Sequence, residues 1–284
     1  MKKFLYYFLI FALVAVFTYS GYNLLTYYTE SAETEAVYDD LSQLRQEALV
    51  TAPTQPPKPN LPADSATEPT EPADPNEGLV MMTHPKTGQE VWMRPEFTEL
   101  FTLNPDIIGW ITVEGTKVDY PVVHRPADKD YYLHRDFYGY QRARGCIYAR
   151  EECDVLAPSD NIILYGHMMQ DDSMFASLNC YKEKSAWERQ PYIRFDTLRQ
   201  TGLYEIICVF KTSANLGQGF RYHTYIDFDT PEQLAEFWRE ATGCAYYETG
   251  LEPQFGDKLI TLSTCEYTLD NGRLVLVARR IDSP

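Results

Sequence analysis

The sequence predicts a mainly β domain, of barrel or sandwich type, carried behind a single N-terminal membrane helix. Three observations predict it. Seven short runs rich in β-branched and aromatic residues, bounded by Gly, Pro, Asp or Asn, recur between residues 107 and 281. An uncharged stretch of about twenty residues follows Lys2 and Lys3. Between these two regions lies an acidic segment that holds eight of the chain's eighteen prolines.

The N-terminal run, FLYYFLIFALVAVFTYSGYNLL, meets no charge until Glu30. At roughly 1.5 Å per residue, a helix of that length crosses a hydrocarbon core of ~30 Å. Lys2 and Lys3 favour a cytoplasmic N-terminus, so everything beyond residue 30 is expected outside the cell. A cleaved signal peptide shares this charge pattern, but the apolar run exceeds a usual signal core and ends without a clear small-x-small site. Residues 36–49 place Val37, Leu41, Leu44 and Ala48 on one side at helical spacing, which reads as a short amphipathic helix. Residues 51–80 contain no aromatic residue and cannot bury enough apolar surface to offset their ordering entropy, so an extended, semi-rigid spacer is expected. The organisation read from the chain is a cytoplasmic stub and anchor over 1–28, a juxtamembrane helix and spacer over 29–80, and one folded domain over 81–284.

Within that domain the strand-like runs are 107–113, 118–123, 145–149, 161–166, 203–212, 258–264 and 273–281. Helical stretches are fewer. Residues 231–242 carry Pro231 at a first-turn position, Asp229 or Thr230 as cap, and Leu234, Phe237 and Trp238 on one face. Residues 95–104 and 173–181 are shorter candidates.

Composition narrows the function. With 44% hydrophobic and 14% aromatic residues the chain is no disordered protein, and a net charge of −16 excludes a nucleic-acid binder held by a basic surface. The same negative field makes any membrane attachment hydrophobic rather than electrostatic. Six cysteines without a CxxC pair make a disulfide scaffold or structural zinc site unexpected, and nothing in the sequence requires a metal or cofactor. Whether Cys146 and Cys153 pair across their loop stays open.

Three residues stand out as chemistry. Cys265 ends the run TLSTC beside the polar segment EYTLDNG, where a thiol is accessible to a base. Cys146, Cys180, Cys208 and Cys244 sit inside apolar or aromatic stretches and read as small buried hydrophobes. His167 closes NIILYGH, with Gly166 expected to let the backbone turn sharply. His84, His124, His134 and His223 read as solvated surface residues. Arg273 opens the last strand a hairpin's distance after Cys265, so antiparallel pairing brings the two to one end of neighbouring strands. A nearby cation favours the thiolate, a histidine can protonate a leaving amine, and a guanidinium suits an acyl oxyanion.

The elements NPDIIGWITVEGTKVDYPVV (104–123), DYYLHRDFYG (130–139), NIILYGHMM (161–169), LITLSTCEY (259–267) and NGRLVLVARRI (271–281), in this order, resemble a class B sortase. The resemblance spans residues 95–282, and YGH, TLSTC and the arginine that opens the final strand are its most specific parts. It implies a closed, mainly antiparallel barrel of about eight strands, with N-terminal helices and an inserted helix before the cysteine strand. By position it makes Cys265 the nucleophile, His167 the histidine and Arg273 the oxyanion-side arginine, with Ser263, Thr264 and Glu266 shaping or tuning the substrate groove. The implied reaction cleaves a surface protein's C-terminal sorting signal after Thr through a thioacyl enzyme. An amine of a peptidoglycan precursor or cross-bridge, or a pilin lysine, then takes the acyl group. The competing readings are a cysteine peptidase acting mainly as a hydrolase, and a non-catalytic surface binding module. The peptidase is disfavoured because papain-like enzymes place Cys before His in the chain.

One motif stands apart. His84-Pro85-Lys86-Thr87-Gly88 looks like a P-x-T-G sorting motif, and reads either as a Pro-initiated turn or as an intramolecular pseudosubstrate.

Overall fold

A computed structural model describes residues 2–51, 75–155 and 157–282. Most of the expected spacer, residues 52–74, lies outside the described residues. These fall into two units, one ending at Asp40 and one starting at Leu41. The first is the N-terminal part of α1 (Lys2–Thr51), a single helix that contains both the expected anchor and the helix expected over 36–49. Phe4, Phe8, Phe11 and Phe17 are exposed along it, and the helix is long and apolar enough to cross a membrane.

The second unit begins with the last turns of α1. Arg45 points onto the domain: its Nη2 lies 2.6 Å from Asp196 Oδ2, and its guanidinium sits 5.3 Å from the centre of the Trp110 ring. Ser42 Oγ donates to Asp119 Oδ2 at 2.9 Å, while Trp110 Nε1 donates to Asp119 Oδ1 at 2.6 Å. These charges tolerate burial because each has a partner. The buried stripe therefore runs through Leu41 and Arg45 rather than through Leu44, which is half-buried.

A hairpin of β1 (Val80–Thr83) and β2 (Glu90–Met93) precedes the barrel. Eight strands close the barrel: β3 (Ile107–Thr112), β4 (Asp119–Val123), β5 (Ile147–Ala149), β6 (Asn161–Tyr165), β7 (Tyr192–Thr197), β8 (Leu203–Ser213), β9 (Leu259–Glu266) and β10 (Gly272–Arg280). Their order around it is β10-β8-β7-β3-β4-β5-β6-β9, with β4–β5 and β6–β9 parallel and the other pairs antiparallel. The barrel expected from the resemblance is the one present. β7 was not legible as a strand because Arg194 and Asp196 interrupt its apolar run, and the buried Asp196 has Arg45 as its nearest cationic partner.

The helical candidates resolve into a 3-10 turn (Pro95–Phe97) followed by α2 (Thr98–Leu103), a 3-10 stretch (Ala176–Lys182) followed by α3 (Lys184–Arg189), and α4 (Pro231–Gly243). Thr230 caps α4, its Oγ1 accepting from Gln233 N at 3.3 Å. Leu234, Phe237 and Ala241 of α4 pack on Ile163, Phe210, Leu259, Val275 and Val277. A helix cannot fit inside an eight-stranded barrel, so this is the outer face of β6, β8, β9 and β10. Their alternate residues, including Ile260, Leu262, Leu274 and Leu276, are fully buried and fill the interior.

Candidate active site

β9 and β10 pair so that Arg273 lies directly opposite Cys265 and Val275 directly opposite Ser263. Directly opposed residues share a face with Cβ atoms ~4.5–5.5 Å apart, so Cys265 and Arg273 project together from the outer face, beyond the end that α4 covers. β6 runs parallel to β9 on the other side, with Tyr165 opposite Ser263, and Gly166 N donates to Ser263 O at 3.2 Å. The next residue is His167. One cavity of about 300 Å³ is lined by His167, Cys265 and Arg273 together with Tyr165, Tyr222 and Ser263.

The imidazole of His167 is held from both sides. Its Nε2 lies 2.6 Å from the carbonyl oxygen of Leu133, which can only accept. Nε2 therefore carries a proton, and Nδ1 is the nitrogen left to exchange one. The ring stacks on His134 with centroids 5.4 Å apart and 23° between planes. Burial lowers the His167 pKa, His134 adds to that, and the Leu133 bond opposes it.

Two glycines allow this arrangement. Gly145 has φ +59°, and a Cβ there would lie 2.4 Å from Leu133 O and 2.5 Å from Tyr132 O. Gly166 does not have a positive φ. Instead, a Cβ at Gly166 would meet Ile147 Cδ1 at 2.6 Å and the Phe175 ring at 2.7 Å, so the position needs glycine for close packing.

Arg273 Nη1 donates to Gly272 O at 2.9 Å, Asn271 Oδ1 at 3.1 Å and Asn271 O at 3.2 Å. Among the described residues no hydrogen bond uses its Nη2 or Nε. The guanidinium is thus anchored at one nitrogen with donor capacity remaining.

Ser263 faces the same side as Cys265, with its hydroxyl 2.6 Å from the buried Tyr222 OH. Thr264 lines the cavity, although its Oγ1 is buried with no hydrogen-bond partner among the described residues. Glu266 is not brought there. It lies on the opposite face, accepting from Lys182 Nζ at 2.7 Å, Thr268 Oγ1 at 2.8 Å and Thr268 N at 3.0 Å. Burial acts to raise its pKa, but these donors outweigh it and hold the carboxyl below its ordinary value. The expected groove role of Glu266 therefore has no support in its placement, because the period of two in a strand turns it away from Cys265.

Sequence reasoning missed several participants. His134 is exposed, as expected, but also stacks on His167. Leu133 acts through a backbone atom that no side-chain motif reveals. Tyr222 and His223 line the cavity from the β8–α4 connection, and Tyr165 OH accepts from Arg150 Nη1 at 3.3 Å. Cys146 and Cys153 are both buried and are not joined to each other by a disulfide. Among the described residues no cluster of three His, Cys, Asp or Glu side chains forms a metal site.

Residues 111–281 match the sortase domain, and the chain belongs to the sortase family, cysteine transpeptidases that act on surface proteins. Sortase B of Staphylococcus aureus is 31% identical over 193 residues, covering 66% of this chain and 76% of that protein. Sortase B of Listeria monocytogenes is 28% identical over 191 residues, covering 66% and 75%. The structure of a Staphylococcus aureus sortase B–substrate complex matches with a TM-score of 0.68 at 25% identity, over 90% of this chain and all of that one. Clostridium perfringens sortase B matches with 0.59 at 30% identity, over 65% of this chain and 98% of that one. These similarities place the chain in class B.

Proposed function

We propose that Cys265 is the nucleophile of a transpeptidation in which His167 moves the protons and Arg273 holds the developing oxyanion. The observation that carries this reading is the register that sets Arg273 opposite Cys265 at the mouth of a cavity that also contains His167. In the first half-reaction the Cys265 proton passes to His167 Nδ1, and the thiolate attacks the carbonyl carbon of a Thr in the sorting signal. The carbonyl oxygen becomes an oxyanion facing the Arg273 guanidinium, whose donors need no reorganisation. Collapse breaks the peptide bond, the amine departs with the proton from His167, and a thioester remains on Cys265. In the second half-reaction an acceptor amine attacks the thioester, loses a proton to His167 and leaves as an amide, restoring the thiol.

The acceptor amine belongs to a peptidoglycan precursor or cross-bridge, or to a pilin lysine. A related sortase B crystallised with triglycine supports an amine-bearing peptide as the second substrate class. The apolar half of α1 is the membrane anchor, with a cytoplasmic N-terminus and the barrel outside. Ser263 and Thr264 shape the groove. Water competes with the amine, so hydrolysis is the side reaction. Full-length variants in detergent micelles test the roles on a peptide of NPxTx or PPxTG type with an added amine. Cys265→Ala and His167→Ala abolish amide product, and Arg273→Ala lowers kcat/KM by about 10²–10³-fold. Amide formation by Cys265→Ala at the unsubstituted rate refutes the assignment.

A further inference from the structure

A second cavity, of about 540 Å³, whose lining does not include Cys265, lies between the β1–β2 hairpin, the start of β3 and the β4 and β7 ends. Its volume is of the order that binds small organic ligands, roughly 300–1,000 Å³. The HPKTG segment forms part of its wall, not part of the catalytic groove. His84 Nδ1 accepts from Lys86 N and Thr87 N, both at 3.2 Å, and Gly88, at φ +72°, closes the turn by donating to His84 O at 2.9 Å. The turn reading of this motif therefore replaces the pseudosubstrate reading.

The cavity combines an apolar body with a cationic surround. Trp92, Phe101, Ile107 and Leu198 supply the apolar walls. Lys86, Arg125 and Arg199 also line it, and among the described lining residues Asp106 is the one carboxylate. That carboxylate is shared: Arg125 Nη1 approaches it to 3.5 Å and Lys86 Nζ to 3.9 Å. Among the described residues Arg199 donates to neutral acceptors, Asn76 Oδ1 at 2.9 Å and Pro75 O at 3.4 Å. Among the described lining residues this leaves a surplus of two positive charges around an apolar hollow, in a chain whose net charge is −16.

We propose that this cavity is a binding site for an amphipathic anion, whose apolar body lies against Trp92 and Phe101 and whose carboxylate or phosphate meets Lys86, Arg125 and Arg199. The site is independent of the catalytic assignment. It adjoins the catalytic groove, since His124, which lines the cavity, has Nε2 3.1 Å from the backbone oxygen of Arg150, which lines the groove.

The test uses the full chain, labelled with 5-fluorotryptophan and held in zwitterionic lipid nanodiscs. Trp92→Phe assigns the Trp92 resonance among the four tryptophans. Four probes are titrated: 2-naphthoate, 1-naphthyl phosphate, neutral 2-naphthamide and cationic naphthylmethylammonium. The proposal expects a saturable shift of the Trp92 signal with an anion, at least tenfold weaker binding of the neutral and cationic probes, and at least tenfold weaker anion binding in Arg199→Glu. That variant retains transpeptidation, which certifies its fold. A stronger response to the phosphate identifies a doubly charged head matched to the twofold surplus, and a stronger response to the carboxylate identifies a singly charged one. Absence of a saturable shift with either anion at millimolar concentration, equal binding of 2-naphthamide, or undiminished binding in Arg199→Glu overturns it.

Discussion

The Leu133 carbonyl is held where His167 needs it only because residue 145 lacks a side chain, and Gly145→Ala isolates that dependence. The backbone at φ +59° costs an alanine about 1 kcal/mol. Its Cβ, 2.4 Å from Leu133 O, has to reach ~3.0 Å, so the carbonyl retreats by roughly 0.6 Å, an overpacking cost of about 1–3 kcal/mol. The carbonyl cannot move closer to His167, because the existing contact is already 2.6 Å. Retreat stretches it to about 3.2 Å, the limit of a useful hydrogen bond, and frees the imidazole to rotate. The expected outcome is a stability loss of about 2–4 kcal/mol and a kcat/KM loss of about 10²-fold, as for other small misplacements of a catalytic group. Thermal melts and continuous peptide-cleavage assays on the same full-length preparation measure both. A variant that melts lower yet keeps kcat/KM within twofold of the unsubstituted chain refutes the claim that this carbonyl positions His167.

Other predictions follow from the same contacts. The acid limb of the kcat/KM–pH profile is where His167 gains a proton, so the lowered pKa places it below pH 6.5. His134→Phe removes a like charge and moves that limb to higher pH; an unchanged or lower midpoint contradicts the stacking account. Arg45→Met leaves Asp196 buried with only the more distant Arg94 and Arg194, each 3.9 Å away, and lowers stability by about 2–4 kcal/mol in a denaturant melt. Lys182→Met strips Glu266 of its ion pair. Because the folded pKa of Glu266 lies below its unfolded value, the stability it contributes is present above about pH 4.3 and is lost as pH falls through the folded value. The gap in melting temperature between Lys182→Met and the unsubstituted chain is therefore widest at neutral pH and narrows in acid; a pH-independent gap counts against the pair.

Much of this was legible in the sequence, for physical reasons. The runs that became β3, β4, β6, β8, β9 and β10 carry strong β-branched signals, and the spacing from Cys265 to Arg273 suited a hairpin. The cap and apolar face of α4 were equally readable, since both are local. What escaped depends on distant partners. β7 is a strand in spite of Asp196, whose partner Arg45 lies 151 residues away. The β1–β2 hairpin is short and half exposed, so its alternation is weak. Leu133 and His134 sit in a motif that carried the family resemblance, yet nothing local says that a backbone oxygen and a stacked ring hold His167. Glu266 follows Cys265 in sequence, but the pleat directs it to the opposite face.

The central claim, acyl transfer through Cys265, is tested most directly by intact mass of the full chain mixed with a sorting-signal peptide before any amine is added. The account predicts an adduct on Cys265 equal to the peptide cut after Thr, absent in Cys265→Ala, and discharged as an amide when a glycine-based amine is supplied. A processed peptide without any adduct on Cys265, or an adduct that persists in Cys265→Ala, contradicts it.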